Sequence, residues 1–434
     1  RGEQNRPTAF EGTANSLKGP AVAGVVAGVL DLPTGGERRG ELHRNVERRI
    51  RCRGGSARGD SERCAVHLAS WTRVGSVLES RIRVGVLYGG TSSEHSISCV
   101  SAGSVLRVLD PERFEVVRIG IDRLGTWRLD DQDVSRLRLG AALPEVLGGP
   151  EASLMLDHTR KGLMVEGEYI PLDVIFPILH GPFGEDGTVQ GLFEVAGLPY
   201  VGSGVLASAL SMDKISFKQH MAGAGIDVGA FLGLTGEQWR SDRAHWQERI
   251  AALGWPVFVK PSRAGSSQGI SKVHGPDVLV AAVEEALRHD PRLIVEAAVP
   301  AAREIEVGVL ATPQVAVSVP GEIVVRSGHE FYDFEAKYLD DSVDLVIDPD
   351  LPLAVSAAIT RIAADAFQAA MCEGLARVDF FVAGERVILN EINTMPGFTS
   401  ASMFPLVWEA SGRTYSEVVT SLIDDALHRG VGLR

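Results

Sequence analysis

The run Val387-Ile388-Leu389-Asn390-Glu391-Ile392-Asn393-Thr394-Met395-Pro396-Gly397 constrains this chain most, because an apolar strand there ends in a carboxylate and a side-chain amide two residues apart. Side chains at i and i+2 share one face of a strand. Just upstream, Ala376-Arg377-Val378-Asp379-Phe380-Phe381-Val382 reads as the partner strand, and Ala383-Gly384-Glu385 is short enough to close a hairpin. A three-residue loop sets Val382 opposite Arg386, Arg377 opposite Glu391 and Asp379 opposite Leu389. Arg377, Asp379, Glu391 and Asn393 then project from one face, whereas a two-residue loop sends Glu391 to the other side. Two carboxylates and an amide oxygen on one surface suit a hard cation, and Mg²⁺ usually completes its octahedron with waters and phosphate oxygens. Read alone, the segment is also compatible with an amphipathic hairpin whose acidic face is solvated.

The chain around this hairpin is ordinary for a globular protein: 434 residues, 45% hydrophobic and 23% charged, enough for two to four domains and a large core. A net charge of -13 and a pI near 5.4 argue against general affinity for nucleic acid or membrane surfaces. The most apolar stretch, Ala21 to Leu30, falls short of the ~20 residues that span a bilayer, and an acidic, Pro-containing stretch follows it. A cytoplasmic protein is expected. Cys52, Cys64, Cys99 and Cys372 show no metal-ligand spacing and are too few for a disulfide framework, so reduced thiols are expected.

Residues 1–80 differ from the rest. They are rich in Arg and Gly, lack a sustained period, and hold 13 Lys and Arg against 9 Asp and Glu, which makes them +4 and the remainder -17. A spurious upstream extension fits this composition somewhat better than a disordered basic arm. Order is expected from Arg81, where Arg81 to Thr91 is an apolar run ending in glycines, as in a first parallel strand of an α/β unit, with a helix from about Ser96 to Leu109. Asp173 to Leu179 is a second buried strand, delivering His180 and the loop Gly181-Pro182-Phe183-Gly184-Glu185-Asp186-Gly187 to its carboxyl end, the edge where ligands collect in such sheets. His180 on its own is more readily structural than catalytic.

Farther on, Pro256 to Pro261 is a strand ending in Lys260-Pro261, followed by the small-residue loop Ala264-Gly265-Ser266-Ser267-Gln268-Gly269, whose backbone N–H groups can approach phosphate oxygens. It is not a P-loop, since the Gly-Lys-Ser/Thr ending is missing. The strand Arg292 to Pro300 and the alternating strand Arg303 to Leu310 form an edge that can pair an adenine through its backbone while Glu304 takes ribose hydroxyls. Phe331 to Leu339 mixes aromatic and charged residues in the manner of a loop that closes over a site, with Lys337 able to reach phosphate and Tyr338 to line the pocket.

In chain order, Gly89-Gly90-Thr91-Ser92-Ser93-Glu94, His180-Gly181 with Gly184-Glu185-Asp186-Gly187, Met212-Asp213-Lys214, Val259-Lys260-Pro261 with Gly265-Ser266-Ser267, Tyr332-Asp333 with Glu335-Ala336-Lys337-Tyr338, Arg377-Val378-Asp379-Phe380 and Glu391 to Gly397 resemble the D-alanine–D-alanine ligase family of the ATP-grasp superfamily, over about residues 81 to 430. The resemblance implies a Rossmann-like parallel α/β domain over 81–213 followed by an ATP-grasp fold of a central subdomain over 214–300 and a C-terminal α+β subdomain with the metal site over 301–434. It implies a reaction in which ATP phosphorylates one D-alanine carboxylate and the amine of a second D-alanine displaces the phosphate, for peptidoglycan precursors and hence the bacterial cell wall and cell shape. Two Mg²⁺ ions, or Mn²⁺, are implied on Asp379, Glu391 and Asn393, with Lys214, Lys260 and Lys337 neutralising phosphate charge.

Residue by residue, the resemblance implies Glu94 for the first substrate's ammonium and His180 nearby, Arg377 and the N–H of Gly397 for the oxyanion, and Ser402 with Met403 for the second substrate. Ser266, Ser267, Glu296, Ala298, Val299 and Glu304 are implied for ATP, and Ser266, Tyr338 and Glu94 for a hydrogen-bonded set joining the closing loop to the first domain. Tyr338 favours an amine as second nucleophile, since the ligases that join D-alanine to D-lactate lack it. Departures are Gln268, where a small apolar residue is expected, and Met403, where Leu is common. A homodimer is implied. Against these stand a D-alanine–D-lactate ligase, a non-catalytic ATP-binding module, and a nicotinamide-dependent dehydrogenase, for which Val84 to Gly90 lacks a complete Gly-x-Gly-x-x-Gly.

Overall fold

The computed structural model describes residues 81–140, 142–326 and 343–432, all within the unit Glu79–Arg434. Residues 1–80 and the segment carrying Lys337 and Tyr338 lie outside the described residues.

The first sheet forms where apolar β-branched runs can be buried on both faces. Its spatial order is Trp127–Leu129, Phe114–Ile121, Ile82–Gly89, Val174–Ile178, with the last three parallel. The expected strand and helix at the start are present as Ile82–Gly89 and His95–Val108. The neighbouring parallel strands Ile82–Gly89 and Val174–Ile178 end on the same side, so Gly89-Gly90 and His180 emerge side by side. Gly89 has φ +91, and a Cβ there would lie 2.3 Å from the Ile121 carbonyl oxygen, so the turn admits no side chain. A small antiparallel sheet of Ala152–Leu154, Gly162–Val165 and Glu168–Pro171 follows.

The central sheet is antiparallel, in the order Ser271–Val273, Val257–Pro261, Arg292–Ala297, Phe231–Thr235. Helix Pro276–His289 covers it, presenting Leu279, Ala282, Val283 and Ala286 at i, i+3, i+4, i+7 spacing. The third sheet runs Val343–Ile347, Gly321–Val325, Arg303–Ala311, Gly374–Ala383, Arg386–Asn393, with Val315–Val317 on the far half of Arg303–Ala311.

The C-terminal hairpin departs from the expected register in an instructive way. Its turn holds two residues, Gly384 and Glu385, with Ala383 opposite Arg386 and Gly384 at φ 62, the backbone that a tight hairpin requires at its first central position. Taken alone, that turn puts Glu391 on the wrong face. A β-bulge restores it: Phe380 faces Leu389, but Asp379 faces Glu391, with Asn390 the extra residue. Arg377 therefore faces Asn393, not Glu391, and Asp379 faces Glu391, not Leu389. Apolar burial drives the re-phasing, since Phe380 and Leu389 pack into the core beneath the sheet while Asp379 and Glu391 look out of it.

The cores show how these sheets are joined. Val84, Val86, Tyr88 and Phe176 of the first sheet share one apolar cluster with Leu375, Phe398, Phe404, Trp408, Leu422 and Ile423, so the last helix, Tyr415–Arg429, packs on the first domain's helix and strand. The central sheet keeps a core of its own, from Leu234 to Val295.

Candidate active site

One cavity of about 650 Å³ is lined by the helix and strand-end loops of the first domain and by strands of the central and third sheets. Glu94, His180, Lys214, Lys260, Ser266, Ser267, Glu296, Ala298, Val299, Glu304, Arg377, Asp379, Glu391, Asn393, Gly397, Ser402 and Met403, each singled out above, reach it. Gln268 does not, and is exposed.

On the first-sheet side, the functional groups sit on loops pinned by hydrogen bonds. The Ser92 hydroxyl donates to the His180 carbonyl at 2.8 Å, tying the two strand-end loops together. The His180 ring spans elements: Nδ1 lies 3.1 Å from the Met395 carbonyl and Nε2 3.1 Å from Ser101 Oγ. A carbonyl can only accept, so Nδ1 carries the proton and Nε2 accepts from the serine. Burial lowers the His180 pKa against the raising influence of Glu94. The ring is thus a neutral brace between helix His95–Val108 and the hairpin exit, with both nitrogens occupied.

Glu94 is 7% exposed and accepts a hydrogen bond from Ser266 Oγ of the small-residue loop. That loop is strained: Ser266 and Ser267 hold φ of 49 and 57, costly for residues other than glycine. Behind Glu94, Glu185 accepts from the Gly181 N–H at 2.6 Å and the Met395 N–H at 3.4 Å. Those donors favour its charged form, yet burial, aided by the like charge of Glu94, pushes its pKa up to about 8.

In the central sheet, Glu296 forms a buried ion cluster with Lys218 at 2.7 Å and Lys260 at 2.6 Å. Burial opposes ionisation of Glu296, but the two ammonium groups outweigh it and hold the carboxyl far below its usual range. Lys260 is raised in turn, burial being overcome by Glu296. Lys214, on the helix capped by Asp213, donates to the Ala264 carbonyl at 2.9 Å and lies 3.9 Å from Glu391. This lysine therefore links the small-residue loop to the hairpin.

On the hairpin, Arg377 clamps Asp379 through two 2.7 Å bonds, and Asn393 Nδ2 donates to Asp379 Oδ2 at 2.9 Å. Among the described residues, no three His, Cys, Asp or Glu side chains converge as a ready metal cage. The donor set nevertheless fits a hard cation: Asp379 and Glu391 face each other across the hairpin, the Asn393 amide oxygen adds a third oxygen, and phosphate oxygens and water can complete an octahedron. Ser402 precedes helix Met403–Ala410 and its hydroxyl lies 2.7 Å from Thr399 Oγ1, while Met403 packs with Ile323 and Val407 in a small core beneath it.

Glu185, Lys218 and Glu306 also line the cavity, and the sequence analysis gave them no role. The signals were present for two. Lys218 lies four residues after Lys214 on one helix, and Glu306 two residues after Glu304 on one strand, so each shares its neighbour's face.

Family models described as D-ala D-ala ligase N-terminus and D-ala D-ala ligase C-terminus match residues 83–203 and 220–424. The D-alanine–D-alanine ligase of Mycolicibacterium vanbaalenii is 50% identical over 372 residues, covering 82% of this chain and 100% of that protein. The corresponding ligase of Nocardia farcinica is 49% identical over 368 residues, with 82% and 100% covered. Among solved structures, the D-alanine–D-alanine ligase from Coxiella burnetii superposes with a TM-score of 0.71 at 34% identity, covering 80% of this chain and 94% of that one. The VanG D-Ala:D-Ser ligase from Enterococcus faecalis gives 0.70 at 32%, covering 80% and 99%. With both halves of the fold matched, this ATP-grasp chain belongs to the D-alanine–D-alanine ligase family.

Proposed function

We propose that this chain joins two D-alanine molecules into D-alanyl-D-alanine through a D-alanyl phosphate, converting ATP to ADP and phosphate, for peptidoglycan precursor synthesis. The observation that carries the reading is one cavity in which Asp379 and Glu391 face each other beside Arg377 and Lys214, while Glu94 accepts a hydrogen bond from the small-residue loop. A carboxylate is a poor acyl donor until one oxygen becomes a phosphate leaving group, so the site must hold several anions close together. Lys214 and Lys260 supply fixed positive charge for the phosphates, backbone N–H groups around Ser266 and Ser267 cradle them, and Glu304 takes the ribose. Ala298 and Val299, at the end of the strand that carries Glu296, offer backbone groups to the adenine edge. Two Mg²⁺ ions, or Mn²⁺, held by Asp379, Glu391 and Asn393 would supply charge neutralisation and orientation of phosphate oxygens.

Glu94 takes the first substrate's ammonium, Arg377 and the Gly397 N–H donate to the oxyanion of the tetrahedral intermediate, and Ser402 contacts the second substrate's carboxylate. His180, its nitrogens already engaged, braces the wall rather than moving protons. Lys337 and Tyr338 belong to the proposal but lie outside the described residues. The spans 81–213, 214–300 and 301–434 are assigned as substrate domain, central ATP-grasp subdomain and C-terminal subdomain. A cytoplasmic homodimer acting on small molecules, without nucleic-acid or membrane partners, completes the reading. The test is coupled ADP release with D-alanine, L-alanine and D-lactate. Turnover with D-alanine and almost none with L-alanine is expected; equal turnover with both enantiomers overturns the reading, and a preference for D-lactate near neutral pH would make it a depsipeptide ligase.

A further inference from the structure

Glu306, Asp379 and Glu391 stand in a row across three neighbouring strands. Glu306 faces Asp379 between Arg303–Ala311 and Gly374–Ala383, and Asp379 faces Glu391 across the hairpin. Like charges directly opposed on a sheet repel, so the row depends on cations beside it. Arg377 serves the Glu306 end, with Nε 3.1 Å from Glu306 and 2.7 Å from Asp379, and Lys214 approaches the Glu391 end at 3.9 Å. Glu306 is 5% exposed, too deep for water to screen it well.

In this arrangement both Asp379 oxygens are engaged, Oδ1 by Arg377 Nε and Oδ2 by Arg377 Nη2 and Asn393 Nδ2. Three of the roughly four lone-pair sites of Asp379 are thus taken, and a cation arriving there competes with Arg377 for them. A guanidinium that yields such bonds can turn to another acceptor without leaving the cavity, and the Glu306 carboxylate is already within reach.

We propose that Glu306 is a positioning residue that takes up the Arg377 guanidinium as Asp379 turns to the metal, so that the oxyanion donor keeps its place while the metal site opens. The inference rests on the metal and oxyanion roles given under Proposed function. It is tested on the full chain with ADP and without D-alanine, by titrating Mn²⁺ and following the free ion by electron paramagnetic resonance.

Asp379→Asn is the control: binding must weaken by about tenfold or more, and if it does not, the reading of the site itself fails, whatever Glu306 does. With the control passed, Glu306→Gln is expected to weaken Mn²⁺ binding about tenfold, because the full charge of Arg377 then stays on Asp379. In an Arg377→Met background the same change is expected to shift affinity by less than about twofold, since no guanidinium remains to be shared. An effect of full size without Arg377 overturns the proposal, for Glu306 then acts on the ion directly. Unchanged Mn²⁺ affinity in Glu306→Gln alone also overturns it. Should Glu306→Gln fail to fold, Glu306→Asp is read in its place, with an expected weakening of about threefold that likewise vanishes without Arg377.

Discussion

The cavity has two walls built on different principles. On the hairpin wall the working groups are borne by strands and neutralised by side-chain cations: Arg377 holds Asp379 and Glu306, and Lys214 stands near Glu391. On the first-sheet wall they are borne by loops and held largely by backbone groups and hydroxyls, as Ser92 holds the His180 carbonyl and the Gly181 and Met395 N–H groups hold Glu185. The hairpin wall sets two cations against three acids, so a cation there competes with existing bonds. The loop wall carries two acids, and burial together with the like charge of Glu94 raises Glu185, so an incoming ammonium would ease both. On the function proposed above, one wall would serve metal and phosphate and the other an amino group.

The contrast can be broken most sharply at Glu391. Glu391→Gln is expected to lower D-alanine-dependent ADP release about a thousandfold, as loss of a metal ligand should; a near-normal rate would remove the metal from the hairpin wall. On the loop wall, Glu94→Gln should raise the D-alanine concentration for half-maximal rate at the first site about thirtyfold, with the KM for ATP little changed. Equal rises in both constants would mean that Glu94 serves the small-residue loop rather than the ammonium.

A third test separates both walls from the ion cluster between them. Lys218→Met leaves Glu296 with one lysine in place of two and should cost about 3 kcal/mol in urea unfolding, while a loss near zero would mean that Lys260 alone satisfies Glu296. The smallest effect concerns pH. A carboxyl raised in the folded state contributes stability that is complete below its ordinary value of 4.5 and is lost as pH rises through about 8. Glu185→Gln should therefore flatten the fall in Tm across that window, and parallel curves for the two proteins would mean that Glu185 is not raised.

The same contrast explains what could be read in advance. Strand-borne residues follow a period of two, so the shared face of Asp379, Glu391 and Asn393 was visible from spacing. The face was right although the turn was wrong: a two-residue turn and the extra Asn390 together give the alternation that a longer loop would have given. Bulges carry no local signature; this one follows from the burial of Phe380 and Leu389, which depends on what packs beneath the sheet. Loop-borne groups were less legible. Glu185 looked like part of a turn because its partners, Gly181 and Met395, are brought together by the fold, the second from 210 residues away. The engagement of both His180 nitrogens likewise depends on Ser101 and Met395.

The separate core of the central sheet has a mechanical consequence. The first and third sheets are stapled by shared apolar side chains, from Val84 and Phe176 through Phe398 to Ile423, and cannot part without exposing them. Trp239, Trp246, Val257 and Leu293 are packed among themselves, within residues 234–295. The piece bearing Lys260, Ser266 and Glu296 therefore buries its apolar side chains apart from that shared cluster, and at the cavity it meets the first domain through polar contacts such as Ser266 to Glu94.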